Sequence, residues 1–532
     1  MYAKTKGMVL YGLTAKVVTV EVDIARGLPC FEIVGLPTAA VREAKERVRA
    51  AIRNAGFEFP MRRIVINLAP ADIRKDGSGL DLAIAMGVLL ASDSIRLNSE
   101  KMRLLAEASV FIGELSLEGQ LKGTSGALAL ALGAREQQIQ RLYTAPFVGV
   151  EMKHGFGGDV VIASSLKDLV AMVEGKLPEV LAKKIVSDSS SDTGLSDFKE
   201  IKGQYIAKKA LEIAAAGGHH VLLTGSPGAG KTMLAKAMPS ILPPLTEAEQ
   251  LSISRIYSVA GLLPAEGLMQ TRPFRSPHHT ITLAGMAGGG SIPKPGELTL
   301  SHEGVLFLDE APEFSRSVLE VLRQPLEEGV IHISRANGTF TYPCRFILLM
   351  AMNPCPCGWH EGGEGHTCTC TPWQIENYIK RLSGPLLDRV DMVIHVSRPS
   401  YEELQATDDN ESSVTIRERV IRARMIQQYR CEKLGYDGLL NSHTNGLLNS
   451  ELSHAQLAKV CKTTDAAQQI LAQAFQRLDI SIRSYDKILR VARTIADLAG
   501  DERVDTNHIA EALSYRMSVS YTHLTLPTTS RV

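Results

Sequence analysis

At 532 residues the chain is too long for one compact core and suits roughly two to four domains. Lys+Arg and Asp+Glu number 58 each, and the resulting net charge of zero excludes a histone-like nucleic-acid coat while leaving room for local basic loops. With 45% hydrophobic and 22% charged residues the composition is that of an ordinary globular protein. No secretory pattern is read in "MYAKTKGMVLYGL", and the apolar run "LAIAMGVLLAS" is far too short to span a bilayer, so a cytoplasmic protein without a membrane partner is expected.

Residues 1–175 alternate β-rich runs ("KVVTVEVDIA", "RRIVINLAP", "ASVFIGELSL") with helical stretches ("TAAVREAKERVRAAIRNAG", "GALALALGAREQQ"), which predicts an α+β or α/β domain. Within it, "IRKDGSGLDLA" sets Ser78 in a Gly-Ser-Gly turn just after Lys75 and Asp76, at the start of an apolar helix. That arrangement looks like a hydrolase nucleophile, although a serine without a base is weak and an N-cap serine looks the same. Residues 176–197 form a linker, ending in the polar run "SDSSSDTGLSD".

Residues 198–398 read as an α/β block. "VLLTGSPGAGKT" is a β-run followed by G-x-x-x-x-G-K-T: Gly225, Ser226, Pro227, Gly228, Ala229, Gly230, Lys231 and Thr232. Backbone N–H groups of such a loop wrap phosphates, the lysine reaches the β- and γ-phosphates, and the threonine ligates Mg²⁺. The Gly/Pro-rich insert "RPFRSPHHTITLAGMAGGGSIPKPGEL" carries Arg272, Arg275, His278, His279 and Lys294. "GVLFLDEAPEF" delivers Asp309 to the metal shell and Glu310 to polarise an attacking water. "GVIHISRANGTFTYPCRFI" predicts a β-hairpin turning at Asn337-Gly338, with Arg335 beside the turn. A further strand, "FILLMAMNP", ends in Asn353, which suits orienting that water or capping a turn.

Four of the eight cysteines fall in the loop 355–370: Cys355-x-Cys357 and Cys368-x-Cys370. Two close thiolate pairs across a Gly-rich loop suit a structural tetrahedral Zn²⁺, with His360 and His366 as substitute ligands. Four free thiols in a reducing compartment, or an Fe–S cluster, remain alternatives. Residues 399–516 turn helical ("IRERVIRARMIQQYRCEKLG", "DAAQQILAQAFQRLDI", "SYDKILRVARTIADLAG"), and residues 517–532 read as an unstructured or non-native tail.

The P-loop, "RPFRSPHH", "GELTLSHEGVLFLDE", "RQPLEEG", "AMNPCPCG" and "GPLLDRVD" resemble, in this order, the magnesium-chelatase-like AAA+ ATPases, and more narrowly the YifB/ComM family. The resemblance runs over about residues 1–516. It implies an α/β multidomain chain with an AAA+ P-loop core and a C-terminal helical lid, binding ATP and Mg²⁺ and working as a homo-oligomeric ring, a hexamer on the family pattern. On the family pattern Asp309 and Glu310 are the Walker B pair, Asn353 is sensor 1, Arg389 the arginine finger and Arg483 the sensor 2 arginine. In related chelatase- and MCM-like ATPases the hairpin before sensor 1 points into the ring pore, which makes Arg335 a candidate DNA contact, and Lys294 of the Gly/Pro-rich insert is a second; a solvated charge or a nucleotide-proximal contact explains each equally well.

The amino-terminal domain is similar to the Lon-protease domain (ribosomal S5 domain 2-like). In Lon the pattern is K-D-G-P-S-A-G; here Lys75-Asp76-Gly77 matches, but the nucleophile position falls on Gly79 and the partner lysine position on Leu128. The resemblance therefore implies the fold without the protease, and Ser78 reads as an N-cap. The ATPase motifs predict ATP hydrolysis, and the YifB/ComM resemblance implies that it drives a motor on single-stranded or branched DNA, of helicase or branch-migration type, acting on recombination intermediates during competence. A magnesium-chelatase motor subunit and an ATP-switched regulatory scaffold are the alternatives.

Overall fold

The computed structural model describes residues 1–95, 97, 100, 105, 107–184, 196–264, 267–290, 294–335, 338–360, 367–405, 410–436, 447–478 and 481–524. Asn337, His366 and residues 185–195 of the linker lie outside them. The chain divides into two compact units. The first comprises Met1–Ser189, Gln250–Met269 and Ser334–Phe340; the second comprises Ser190–Glu249, Gln270–Ile333 and Thr341–Val532. No described helix is long and apolar enough to cross a membrane.

The first unit is built on a four-stranded sheet of β1 (Tyr2–Tyr11), β2 (Thr14–Ala25), β3 (Cys30–Val34) and β4 (Arg63–Ala69), in the order β1-β2-β4-β3. β2 pairs antiparallel with both β1 and β4, and β3 joins β4 in parallel. Alternate residues of β2 are buried (Val18, Val20, Val22, Ile24), as a sheet covered on one face requires. The helix Asp81–Ala91 is buried all round, so it is a central rather than an amphipathic helix. A parallel sheet of β5 (Ser109–Phe111), β8 (Arg141–Thr144) and β9 (Asp159–Ile162), and the short pair β6 (Glu114–Leu115) and β7 (Leu121–Lys122), complete it.

Ser78 is not the cap of that helix. Its hydroxyl donates to Glu114, while Asp81 at the first turn is buried and accepts from Arg47 Nε at 2.7 Å. Two charged partners for neighbouring groups thus override the local serine cap. Lys75, the other half of the hydrolase-like stretch, is fully buried and bonded to the Pro70 carbonyl.

The second unit carries β10 (Val221–Thr224), β11 (Phe274–Arg275), β14 (Gly304–Leu308), β17 (Phe346–Met352) and β18 (Met392–His395). They form an all-parallel sheet ordered β11-β14-β17-β10-β18. β14 and β17 are buried at every residue, as strands covered on both faces are. The small pair β12 (Gly288–Gly289) and β13 (Lys294–Pro295) and the hairpin of β15 (Val330–Arg335) and β16 (Gly338–Pro343) are insertions between sheet strands. Helices Ser413–Lys433, His454–Val460, Asp465–Leu478, Ile482–Ala499 and Thr506–Leu524 follow. The last one corrects the unstructured reading of residues 517–524: with no glycine or proline before Pro527, helical hydrogen bonding propagates on from Thr506.

Candidate functional site

The P-loop leaves β10 at the carboxyl edge of the parallel sheet, the edge where open α/β sheets bind ligands. Gly225 passes so close to β18 that a Cβ would lie 2.2 Å from the Val396 carbonyl oxygen. Gly230 takes φ 93°, open to glycine, and turns the chain into the helix Lys231–Ile241, whose first N–H groups face the loop. Lys231 is buried, which lowers its ammonium pKa, and Nζ donates to Gly225 O (2.6 Å), Ser226 O (3.0 Å) and Asn353 Oδ1 (3.1 Å). Three sequence-selected residues from two strands therefore meet at one amine.

Thr232 Oγ1 donates to Asp309 Oδ2 at 2.8 Å, pairing two hard oxygens of the kind Mg²⁺ takes. Beside them Glu310 is 60% exposed and held at φ 50°, a left-handed conformation uncommon outside glycine, with its N–H on Asp309 Oδ1 at 3.0 Å. His279 Nδ1 stands 3.7 Å from Glu310 Oε2. The sequence had marked this histidine only as one cation of a basic insert; its place beside Glu310 depends on tertiary folding and left no local signal.

Beyond Asn353 the chain enters the cysteine loop. Cys355, Cys357, Cys368 and Cys370 bring their sulfurs within 4.8 Å of one another. Cys355 and Cys357 Sγ are 3.3 Å apart, Cys357 and Cys368 3.6 Å, and Cys355 and Cys368 3.8 Å. A tetrahedron with Zn–S bonds of about 2.3 Å has sulfur–sulfur edges of about 3.8 Å, so the donor set and its spacing fit a zinc ion. Backbone amides of Gly358 and Trp359 point at the Cys355 sulfur, and those of Trp359 and Thr369 at Cys357. His360 is not part of the four-sulfur group.

Arg389 and Arg483 lie elsewhere. Both line a cavity of about 1040 Å³ whose wall includes His220, Gly304, Phe346 and Asp391, the residues at the amino ends of β10, β14, β17 and β18. The two arginines thus face the opposite edge of the sheet from their own P-loop. Arg389 is bonded to Glu327 and to the Pro385 carbonyl, and Arg483 is exposed. Lys487 and Arg516, which the sequence reading passed over, each donate to the Val390 carbonyl, at 2.9 and 2.8 Å.

Arg335 is exposed near the tip of the β15–β16 hairpin, its Nη1 on the Ser334 carbonyl. In the first unit, the Phe340 ring packs against Tyr11 at a tilt of 41°, with 4.7 Å between centroids. Lys294 is exposed on β13. Arg272, offered as a basic-loop residue, is instead buried against Glu249 at 3.0 Å, and Arg275 pairs with Glu297 at 2.6 Å, so neither is available to a phosphate backbone.

Residues 197–404 match the family described as magnesium chelatase, subunit ChlI, residues 20–146 the one described as subunit ChlI of Mg-chelatase, and residues 410–516 its ChlI C-terminal family. The chain is 42% identical to the YifB protein of Salmonella typhimurium over 95% of both chains, and 42% identical to the competence protein ComM of Haemophilus influenzae over 96% of both. It is 23% identical to the DNA helicase MCM8 of Bos taurus over 62% of this chain and 35% of that one. A parallel sheet with a phosphate loop at one edge, and likeness carried through almost the full length of both relatives, place this chain in the YifB/ComM family of magnesium-chelatase-like AAA+ proteins.

Proposed function

We propose that the chain is a ring-forming ATPase that moves DNA strands, a motor of helicase or branch-migration type acting on recombination intermediates in DNA uptake and homologous recombination. The observation that carries the ring is the separation of Arg389 and Arg483 from their own P-loop. At the opposite edge of the sheet, these arginines serve a nucleotide only if a neighbouring subunit presents it. A closed homo-oligomer, a hexamer on the family pattern, meets that need at every interface. The names of ComM and MCM8 support competence and DNA as the setting.

In this reading Lys231 exchanges its bonds to Gly225, Ser226 and Asn353 for the β- and γ-phosphates, while the loop amides from Gly225 to Thr232 cradle them. Thr232 and Asp309 hold Mg²⁺, which supplies positive charge to the phosphate oxygens. Glu310 polarises the attacking water and Asn353 orients it. Arg389 and Arg483 of one subunit stabilise charge on the γ-phosphate held by the next. Arg335 and Lys294 contact the DNA backbone, and the four cysteines hold a structural Zn²⁺.

The segmentation that goes with it is a Lon-protease-like domain at 1–175 lacking the catalytic dyad, a linker at 176–197, the AAA+ core at 198–398 and a helical lid at 399–516, in a cytoplasmic protein. The match of residues 20–146 and 197–404 to chelatase subunit families favours, as a second reading, a magnesium-chelatase motor subunit. ATP turnover with and without single-stranded and forked DNA separates the two, with Glu310→Gln as control. Strong stimulation by DNA, lost in the variant, is expected; turnover indifferent to every DNA overturns the motor reading.

A further inference from the structure

We infer that the cysteine knuckle is the back wall of the nucleotide loop, with Trp359 and Arg398 as positioning residues for Pro227, so that nucleotide affinity depends on an occupied four-thiol site. This rests on reading residues 225–232 as an ATP site and on the thiols holding zinc.

The contact is direct. Gly358 follows Cys357 at φ 86°, and a Cβ there would lie 2.7 Å from both Cγ and Cδ of Pro227, at the crown of the P-loop. Its N–H closes a turn on the Cys355 carbonyl at 3.0 Å. From the other side Arg398 donates to the Pro227 carbonyl through Nη2 at 2.7 Å and Nε at 3.2 Å. The same guanidinium lies over the Trp359 ring, 4.7 Å from its centroid. Pro227 is therefore held between a knuckle glycine and an arginine whose resting place is the next knuckle residue. β17 adds a covalent link, since Asn353, the Lys231 partner, is two residues from Cys355.

A P-loop binds phosphate with backbone N–H groups, and its affinity depends on how much ordering remains to be done when phosphate arrives. Cys355 and Cys357 are joined to Cys368 and Cys370 through the loop that the metal closes. Without an ion, the contacts that join the two arms among the described residues are weak ones between thiols and from the Thr369 and Cys357 amides to sulfur, and Gly358 and Trp359 lose the constraint that presses them on Pro227. The loop then pays the ordering cost on binding.

The test uses the full chain loaded with zinc chloride, measuring released zinc with a chromophoric chelator and Mg²⁺–mant-ATP affinity by fluorescence in the same preparation. About one zinc per chain is expected. Stripping it, followed by removal of the chelator and return of Mg²⁺, raises the mant-ATP Kd about tenfold, and zinc chloride restores it. Trp359→Ala keeps its zinc yet raises Kd about three- to fivefold, the loss of one cation–π contact. This variant tests the clamp without touching a ligand, should the stripped chain unfold. Parent affinity in Trp359→Ala, or in a stripped chain with an unchanged far-UV spectrum, overturns the coupling. A chain that binds mant-ATP but takes up no zinc overturns the metal half. Failure of the zinc-loaded parent to bind mant-ATP sinks the ATPase reading itself, and this inference with it.

Discussion

Glu303 shows how one carboxyl ties stability to pH in the second unit. Burial, with Glu249 nearby adding to it, pushes its pKa up to about 7 against the opposing pull of Arg272 and Arg345. The unfolded chain releases this proton near its ordinary value of 4.5, whereas the folded chain keeps it to about 7. Between those values the folded state binds more protons, so stability falls as pH rises through the window and is level above it. Replacing Glu303 with Gln removes that dependence: the difference in melting temperature, variant minus parent, is expected to grow from pH 5 to pH 8. A flat difference would show that Glu303 does not titrate late. Gly225 is the other residue with a sharp expectation. Gly225→Ala drives a methyl into the Val396 carbonyl, costing about 1–3 kcal/mol as overpacking does, and thermal melting together with mant-ATP titration should show both a lower midpoint and weaker binding.

Elements rather than residues decide where the arginines point. The turn bearing Arg389 runs into β18 at Asp391, whose carboxylate accepts the His220 N–H at 2.9 Å and lies 3.6 Å from Lys487 Nζ. Lys487 belongs to the helix Ile482–Ala499 that also carries Arg483, and Arg516 reaches Val390 O and Ser484 Oγ from the last helix. Lys487→Met is expected to leave ATP affinity at its own P-loop unchanged and to lower kcat about tenfold to a hundredfold, because a small misplacement of a charge-stabilising group is that costly. A parallel rise in Kd would mean general loosening instead.

The sequence made the strand–loop–helix of the P-loop legible because glycine spacing, an apolar strand and a following helix are all local. The strands ending in Asp309 and Asn353 were legible for the same reason, as was the four-cysteine pattern. What escaped was contact between segments distant in the chain: His279 beside Glu310, Arg398 over Trp359, Lys487 on Val390. Ser78 failed as a cap for the converse reason, since a local preference yielded to Glu114, thirty-six residues away.

For the whole molecule, the proposed ring would make activity a property of interfaces, because its arginines would serve a neighbour. Arg389→Ala keeps its own Glu310, and Glu310→Gln keeps its own Arg389; each alone is expected to be nearly inactive. Mixed one to one and allowed to exchange, about a quarter of the interfaces pair an intact Glu310 with an intact Arg389 by random assortment, and ATP turnover should reappear in proportion. A mixture no more active than its parts would place both groups on one nucleotide in cis.

Ribosomes deliver residues in order, and the first unit is not contiguous. A nascent chain that has emerged only to Ser189 lacks Ser258, whose hydroxyl meets the partly buried Glu151 carboxylate at 2.5 Å and lies 3.2 Å from the Leu128 amide. It also lacks Phe340, which covers Tyr11. The first unit is completed only after β10, β11 and β14 of the second have left the ribosome. Translation order and folding order are therefore interleaved, and a stall between residues 190 and 333 strands both units unfinished. For the same reason residues 1–189 made alone are expected to be a poor substitute for the domain they belong to.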